Sequence, residues 1–271
     1  MEFFLILLIA SLFSAFGTVI GFGGGIFILP VLVIFFNVPI NIAAGSVIVA
    51  LLPGSLISSF YNYKRKKIDF SAGITLEIPT ILGTILGAYL TSILISNTIE
   101  ITFAIFVSLV GISMFKSKEA RQNKKQRISV FKKINDFNPA LIRNAESIQY
   151  RMNYFLTVFL GLFAGMLAGL FGIGGGFLKT PIMVNVFNIP PSIAAATALF
   201  MIIFTSLTGG ISHFYLGHLN FNYTIPIVLG FILGAFIGNK LNLNLSEKTI
   251  GSLIGLGLVG AGVSILINIF L

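Results

Sequence analysis

The chain contains no cysteine, only two histidines, and little charge of either sign. Without cysteine there is no disulfide framework, no thiolate metal site and no cysteine nucleophile. The histidines, His213 and His218, do not have H-x-x-x-H metal spacing, and no nucleophile–base pair is visible, so no metal, cofactor or enzymatic role is expected. Charged residues make up 9% of the 271 positions, whereas a soluble domain carries about 25%. Hydrophobic residues reach 56% and the mean hydropathy is +1.01. So little polar surface excludes a soluble monomer and points to a polytopic membrane protein.

The charge that is present is basic and clustered. Of 17 Lys and Arg, four lie in Lys64-Arg65-Lys66-Lys67 and ten between Lys116 and Arg151, within a net charge of +9. Basic residues beside membrane segments mark cytoplasmic loops and meet anionic lipid. That reading, rather than nucleic-acid binding, accounts for the charge. No separate signal peptide is expected, because the first apolar stretch begins at Phe3 without a basic leader.

Apolar runs between polar or turn-forming breaks predict ten segments. Five precede the basic loop, at 3–20, 26–36, 42–62, 70–95 and 98–115. Five follow it, at 153–171, 177–187, 192–215, 221–240 and 249–270. A span needs roughly 20 residues, so the second segment of each set is too short to cross alone. It reads as a half-helix or as the return arm of a re-entrant hairpin. The expected organisation is a first transmembrane repeat over 1–115, a basic cytoplasmic loop over 116–151 and a second repeat over 152–271.

The two sets repeat at a constant offset of 151 residues. Gly21, Gly23, Gly24, Gly25, Pro30, Asn37 and Pro39 correspond to Gly172, Gly174, Gly175, Gly176, Pro181, Asn188 and Pro190. Ser46 corresponds to Thr197, Ser55 to Ser206, and the matches continue to Leu90 and Leu241. Lys64–Lys67 and the 116–151 loop should face the cytoplasm, with Ser96–Glu100 and Leu216–Asn220 outside. An odd number of crossings per half would invert the second half, giving an all-α protein with both termini outside. The Gly-xxx-Gly steps at Gly83/Gly87, Gly161/Gly165/Gly169 and Gly230/Gly234/Gly238 read as close helix packing. Tyrosines at segment ends, among them Tyr61, Tyr63, Tyr150, Tyr154, Tyr215 and Tyr223, read as interfacial anchors. The stretch Ile128–Phe137 is amphipathic enough to lie on the inner leaflet.

The glycine runs carry the functional signal. Neither matches a phosphate-binding loop, since Phe177-Leu178 separate the glycines from Lys179, and neither completes G-x-G-x-x-G. A helix that starts just after such a run presents its positive dipole end and unpaired N–H groups, which makes an anion site. Two such starts would frame one cavity at Gly23, Gly24, Gly25, Gly174, Gly175 and Gly176. The alternative is that the glycines serve only close packing.

The doubled G-x-G-G-G-x-x-x-x-P pattern, in a chain of this length and hydropathy, resembles the sulfite exporter TauE/SafE family of anion permeases. The resemblance covers nearly the whole chain. It implies a secondary carrier of sulfite, sulfoacetate or related organosulfonates, without an ATPase of its own, in the cell's inner (plasma) membrane. One departure is that position three after the glycine triplet is Ile28 in the first half and Lys179 in the second.

Lys179 stands alone in an apolar segment, where a charge is costly unless paired or hydrated. It is a candidate anion ligand, the alternative being outward snorkelling. Glu77 is a candidate for proton coupling, the alternative being an interfacial carboxylate paired with a lysine of Lys64–Lys67. His213 is the second proton-coupling candidate, though its place near the outer boundary also fits an interfacial histidine. Ser46, Ser55, Thr197 and Ser206 could line a pathway, or bond back to their own helices. The expected function is transport of a small sulfur-containing anion by alternating access, with a small anionic substrate and membrane lipid as partners. An anion channel and a non-transporting subunit are the other readings, and a homo-oligomer is left open.

Overall fold

The computed structural model describes residues 1–115, 139–145, 148–241, 258–267 and 269. The helices are α1 (Glu2–Ile20), α2 (Gly25–Phe35), α3 (Ile40–Lys64), α4 (Phe70–Ile93) and α5 (Ser96–Phe115). After them come α6 (Tyr154–Phe171), α7 (Gly176–Asn185), α8 (Pro191–Tyr215) and α9 (Phe221–Leu241). A short α10 covers Leu258–Ile267. Among the described residues six helices, α1, α3, α4, α6, α8 and α9, are long and apolar enough to cross a membrane. The protein is an all-α polytopic membrane protein. The amphipathic stretch at 128–137 and the start of the segment expected at 249–270 lie outside the described residues.

One element departs from that expectation. β1 (Ala140–Ala145) and β2 (Ile148–Asn153) form an antiparallel hairpin in which Ala140 pairs with Asn153 and Ala145 with Ile148. Tyr150 and Met152 alternate with Gln149 and Arg151, a half-buried strand pattern within a stretch dominated by basic charge. Tyr150 is buried rather than an interfacial anchor, and its hydroxyl donates to Asp69 Oδ2 at 2.9 Å. Asn153 closes the hairpin and caps α6 by accepting from Leu156 N–H at 3.0 Å.

Which helices run together follows from the residues that touch. Gly230 lies against Leu7 and Ala10, Gly234 against Ser11 and Ser14, and Gly238 against Ala15, so α1 and α9 are parallel. In the same way Gly161, Gly165 and Gly169 lie against Leu76, Thr80 and Thr84, which makes α4 and α6 parallel. A Cβ on Gly165 would strike the Thr80 carbonyl oxygen, so the small-residue steps set how closely the backbones approach. α3 runs with α9, through Thr224–Ser46 and Asn239–Ser58 hydrogen bonds of 2.9 and 3.2 Å. α4 runs with α8, through Asp69–Thr197 and Thr205–Glu77 bonds of 3.0 and 2.5 Å. α3 opposes α8: the turn after α8 rests on Gly45 near the start of α3, and Asp69, after α3, rests on Thr197 near the start of α8. Thus α1, α3 and α9 point one way, and α4, α6 and α8 the other.

A Cβ at Gly165 therefore forces α4 and α6 apart, whereas one at Gly260 on α10 meets nothing within 4 Å. Gly165→Ala should destabilise by about 1–3 kcal/mol, the usual scale of overpacking, and Gly260→Ala should be neutral. Thermal unfolding of the two variants in detergent checks the contrast.

Candidate functional site

α1 ends on Gly21 in the left-handed conformation at φ 81°, and Phe22 and Gly23 N–H both donate to the Gly17 carbonyl at 2.8 and 3.1 Å. Gly24 follows at φ 97° and caps α2. The second half repeats the turn with Gly172 at φ 67° and Gly175 at φ 72°. L-residues with a Cβ pay for this conformation, and glycine does not. Among the described residues the ten left-handed positions fall into five pairs at the 151-residue offset, including Asn37/Asn188 and Lys66/Gly217. Each short helix turns back along the one before it: the Phe27 ring lies 5.8 Å from Phe13 and 5.6 Å from Phe16, and Gly175 packs on Ala168. α2 and α7, at 11 and 10 residues, are shorter than a membrane span, and each begins where the chain has folded back against the helix before it.

The two glycine turns meet. A Cβ on Gly25 would sit 3.3 Å from Ile173 Cα, and one on Gly176 would sit 3.1 Å from the Gly21 carbonyl oxygen. The Phe22 and Phe177 rings pack edge to face at 5.2 Å. Leu51 and Ile202, themselves 151 residues apart, lie against both Gly23 and Gly174 and are 1% and 0% exposed. They fill the space between the turns. Gly23, Gly25, Gly174 and Gly176 thus converge at one place, with two apolar side chains between them, while Gly24 packs on Phe13 and Ser14 of α1 and Gly175 on Ala168 and Lys179.

Lys179 is fully buried beside this junction, and its Cε lies 3.1 Å from where a Gly175 Cβ would be. Its ammonium donates to Glu77 Oε2 at 2.7 Å and to the Thr205 hydroxyl. Thr205 in turn donates to Glu77 Oε1 at 2.5 Å. Lys179 therefore does not snorkel, and the partner of Glu77 comes from α7 rather than from Lys64–Lys67. Thr205 was not among the sequence candidates. Its one legible signal is that it faces Gly54 at the repeat offset, as Glu77 faces Val228 and Lys179 faces Ile28.

Three of the four paired hydroxyls are tied into hydrogen bonds. Thr197 accepts from Asp69 N–H at 3.0 Å, Ser46 accepts from Thr224 at 2.9 Å, and Ser55 donates back to the Leu52 carbonyl at 2.8 Å. Ser206 Oγ is buried without a hydrogen-bond partner and lines a recess of about 410 Å³ with Val49, Gly210 and Phe214. His213 is fully buried. Its Nε2 donates to the Gly169 carbonyl at 2.8 Å, which leaves Nδ1 to accept from His218 Nδ1 at 3.0 Å.

Removing one partner of a buried ion pair leaves an uncompensated charge, at a cost of about 3–5 kcal/mol. Glu77→Ala should show that loss as a fall in the thermal midpoint, and Glu77→Met with Lys179→Met should restore most of it. Burial pushes His218 below the ordinary histidine value, so on acidification the unfolded chain binds this proton before the folded one. The stability it contributes is complete above about pH 6.5 and is lost as the pH falls below it. The midpoint should therefore decline from about pH 7 to about pH 5, and His218→Gln should flatten the decline.

A sequence profile described as "Sulfite exporter TauE/SafE" matches residues 5–265. Probable membrane transporter protein YunE of Bacillus subtilis is 29% identical over 257 residues, covering 92% of each chain. Probable membrane transporter protein MJ0441 of Methanocaldococcus jannaschii is 25% identical over 255 residues, covering 90% of this chain and 86% of its own. Sulfite exporter TauE/SafE family protein 6 of Arabidopsis thaliana is 30% identical over 83 residues, 30% of this chain and 18% of its own. No solved structure matches the chain. With the doubled glycine turn and a family profile spanning nearly its whole length, the chain belongs to the sulfite exporter TauE/SafE family.

Proposed function

We propose that the protein is a secondary transporter of small sulfur-containing anions, sulfite or an organosulfonate, working by alternating access around the two glycine turns. The observation that carries this reading is the convergence of two helix starts. α2 begins at Gly25 and α7 at Gly176, and the two turns touch. Each start brings first-turn N–H groups without intrahelical acceptors and the positive end of a helix dipole. An oxyanion with several acceptor oxygens matches that arrangement. Leu51 and Ile202 must then move aside for the anion to enter, and they act as a paired gate.

The directions of the helices favour an inverted repeat. α1 and α3 oppose their counterparts α6 and α8, and α4 opposes α9. Such halves can exchange conformations and open the site to either side in turn. With the basic turn at Lys64–Lys67 in the cytoplasm of the cell's plasma membrane, His218 belongs to the outer side. The substrate class is supported by the family's description as sulfite exporters.

Gly24 and Gly175 hold the left-handed conformation against close neighbours. Gly24→Ala and Gly175→Ala should each cut flux of radiolabelled sulfite or sulfoacetate in proteoliposomes roughly tenfold or more, given backbone strain of about 1–3 kcal/mol. Unchanged flux would remove the glycine turns from the site, and no flux in the wild type would identify a non-transporting subunit instead. Currents in planar bilayers above carrier turnover would identify a channel.

A further inference from the structure

We propose that Glu77 is the resident counter-ion of Lys179, and that the transported anion takes its place when Glu77 is protonated, so that one proton travels with each anion. The inference rests on the transport reading above and names the coupling device of that site. Three observations lead to it.

The pair is closed off and complete. Lys179 and Glu77 are 0% and 3% exposed, 2.7 Å apart, and bridged by Thr205, which accepts from the lysine and donates to the carboxylate. While Glu77 is ionised the ammonium has no charge to spare, and an incoming anion would place two negative charges on one cation. Neutralising Glu77 is the step that makes Lys179 available.

The triad is also asymmetric. At the repeat offset its members face Ile28, Val228 and Gly54, so the other half packs the equivalent place without polar groups. A device that pseudo-symmetric packing does not require, and that places a charge where charge is costly, calls for a function. Its location supplies one: Lys179 Cε rests against Gly175, the cap of α7, which sets the cation next to the turn proposed to hold the anion.

Finally, among the described residues nothing else titratable faces the carboxylate from the elements around it. α7 contributes only Lys179, and the one titratable group of α6, Tyr154, is exposed at its start. α8 carries His213, which is committed to the Gly169 carbonyl and to His218, and Tyr215, exposed at its end. On α4 the nearest acid is Asp69, which caps the helix by accepting from Ala72 N–H.

The exchange balances. A proton from the loading side forms one O–H bond at Glu77, and the acid then donates to Thr205 Oγ1 in place of Lys179. The freed ammonium pairs with the substrate oxyanion. On the other side Glu77 releases its proton to water, and the carboxylate returns to Lys179 and expels the anion. Thr205 is a positioning residue throughout, donor to one partner and acceptor from the other.

The test uses the full-length protein in proteoliposomes with the interior one pH unit more alkaline and the membrane potential clamped at zero by valinomycin and equal potassium. Radiolabelled sulfoacetate is the substrate and internal pyranine reads the protons. Wild type should concentrate sulfoacetate up to roughly tenfold, the ratio that one proton per anion sustains across one pH unit, and pyranine should count one proton for each anion. Glu77→Gln should still exchange labelled for unlabelled sulfoacetate at equal pH, but its accumulation ratio should fall to about one, because the group that carries the proton is gone. Lys179→Gln should lose exchange as well. Wild-type transport without proton uptake overturns the inference whatever the variants do, and so does a Glu77→Gln protein that still concentrates sulfoacetate. A wild type that moves neither sulfoacetate nor sulfite overturns the transport reading itself, and this inference with it.

Discussion

A helix that stops inside an apolar slab leaves peptide N–H and C=O groups that lipid cannot satisfy, so broken backbone survives there only against protein or a polar cavity. This chain breaks its helices twice, after α1 and after α6, and covers each break largely with the other. Gly25 against Ile173 and Gly176 against the Gly21 carbonyl are the points of contact. The rest of the architecture keeps these two turns in register. The small-residue steps of α9 clasp α1, and those of α6 clasp α4. Leu51 and Ile202, one from each half, seal the junction. The proposed transport cycle would use the same groups, protected here by the opposite turn, to bind the anion.

Against that near-symmetric frame the polar core is lopsided. Most buried hydroxyls serve as ties between helices or as caps: Thr197 to Asp69, Ser46 to Thr224, Thr91 to the Leu170 carbonyl. Lys179, Glu77 and Thr205 are different, since a mutually satisfied ion pair adds little net stability over an apolar replacement of similar volume. They sit beside the second glycine turn and have no counterpart beside the first. The two halves thus share a turn geometry but differ in the chemistry beside it.

Much of the frame is legible in the sequence, for identifiable reasons. The segments at 42–62, 153–171 and 192–215 lie within two residues of the observed α3, α6 and α8, because in an apolar chain the breaks are written in glycine, proline, asparagine and charge. The glycine turns are legible because left-handed backbone requires particular residues, and the requirement appears twice at one offset. The β1–β2 hairpin was missed because its alternation is short and lies in a stretch read through its basic charge. The burial of His213 was not legible because its distance along the chain from a loop does not report what packs over it; Gly169 and His218 do.

Taken alone, the sequence determined membrane class, segment boundaries, the internal repeat and the positions where backbone must bend left-handed, because these depend on local composition and on steric rules that act residue by residue. Which groups meet was decided only by tertiary structure. Lys179 and Glu77 are 102 residues apart, and Glu77 and Thr205 are 128 apart. No periodicity joins them, since they lie on three helices brought together by the packing of α4 between α6 and α8. A lone lysine in an apolar segment announces only that a partner is needed; the fold supplies which one, and places the pair against a glycine turn.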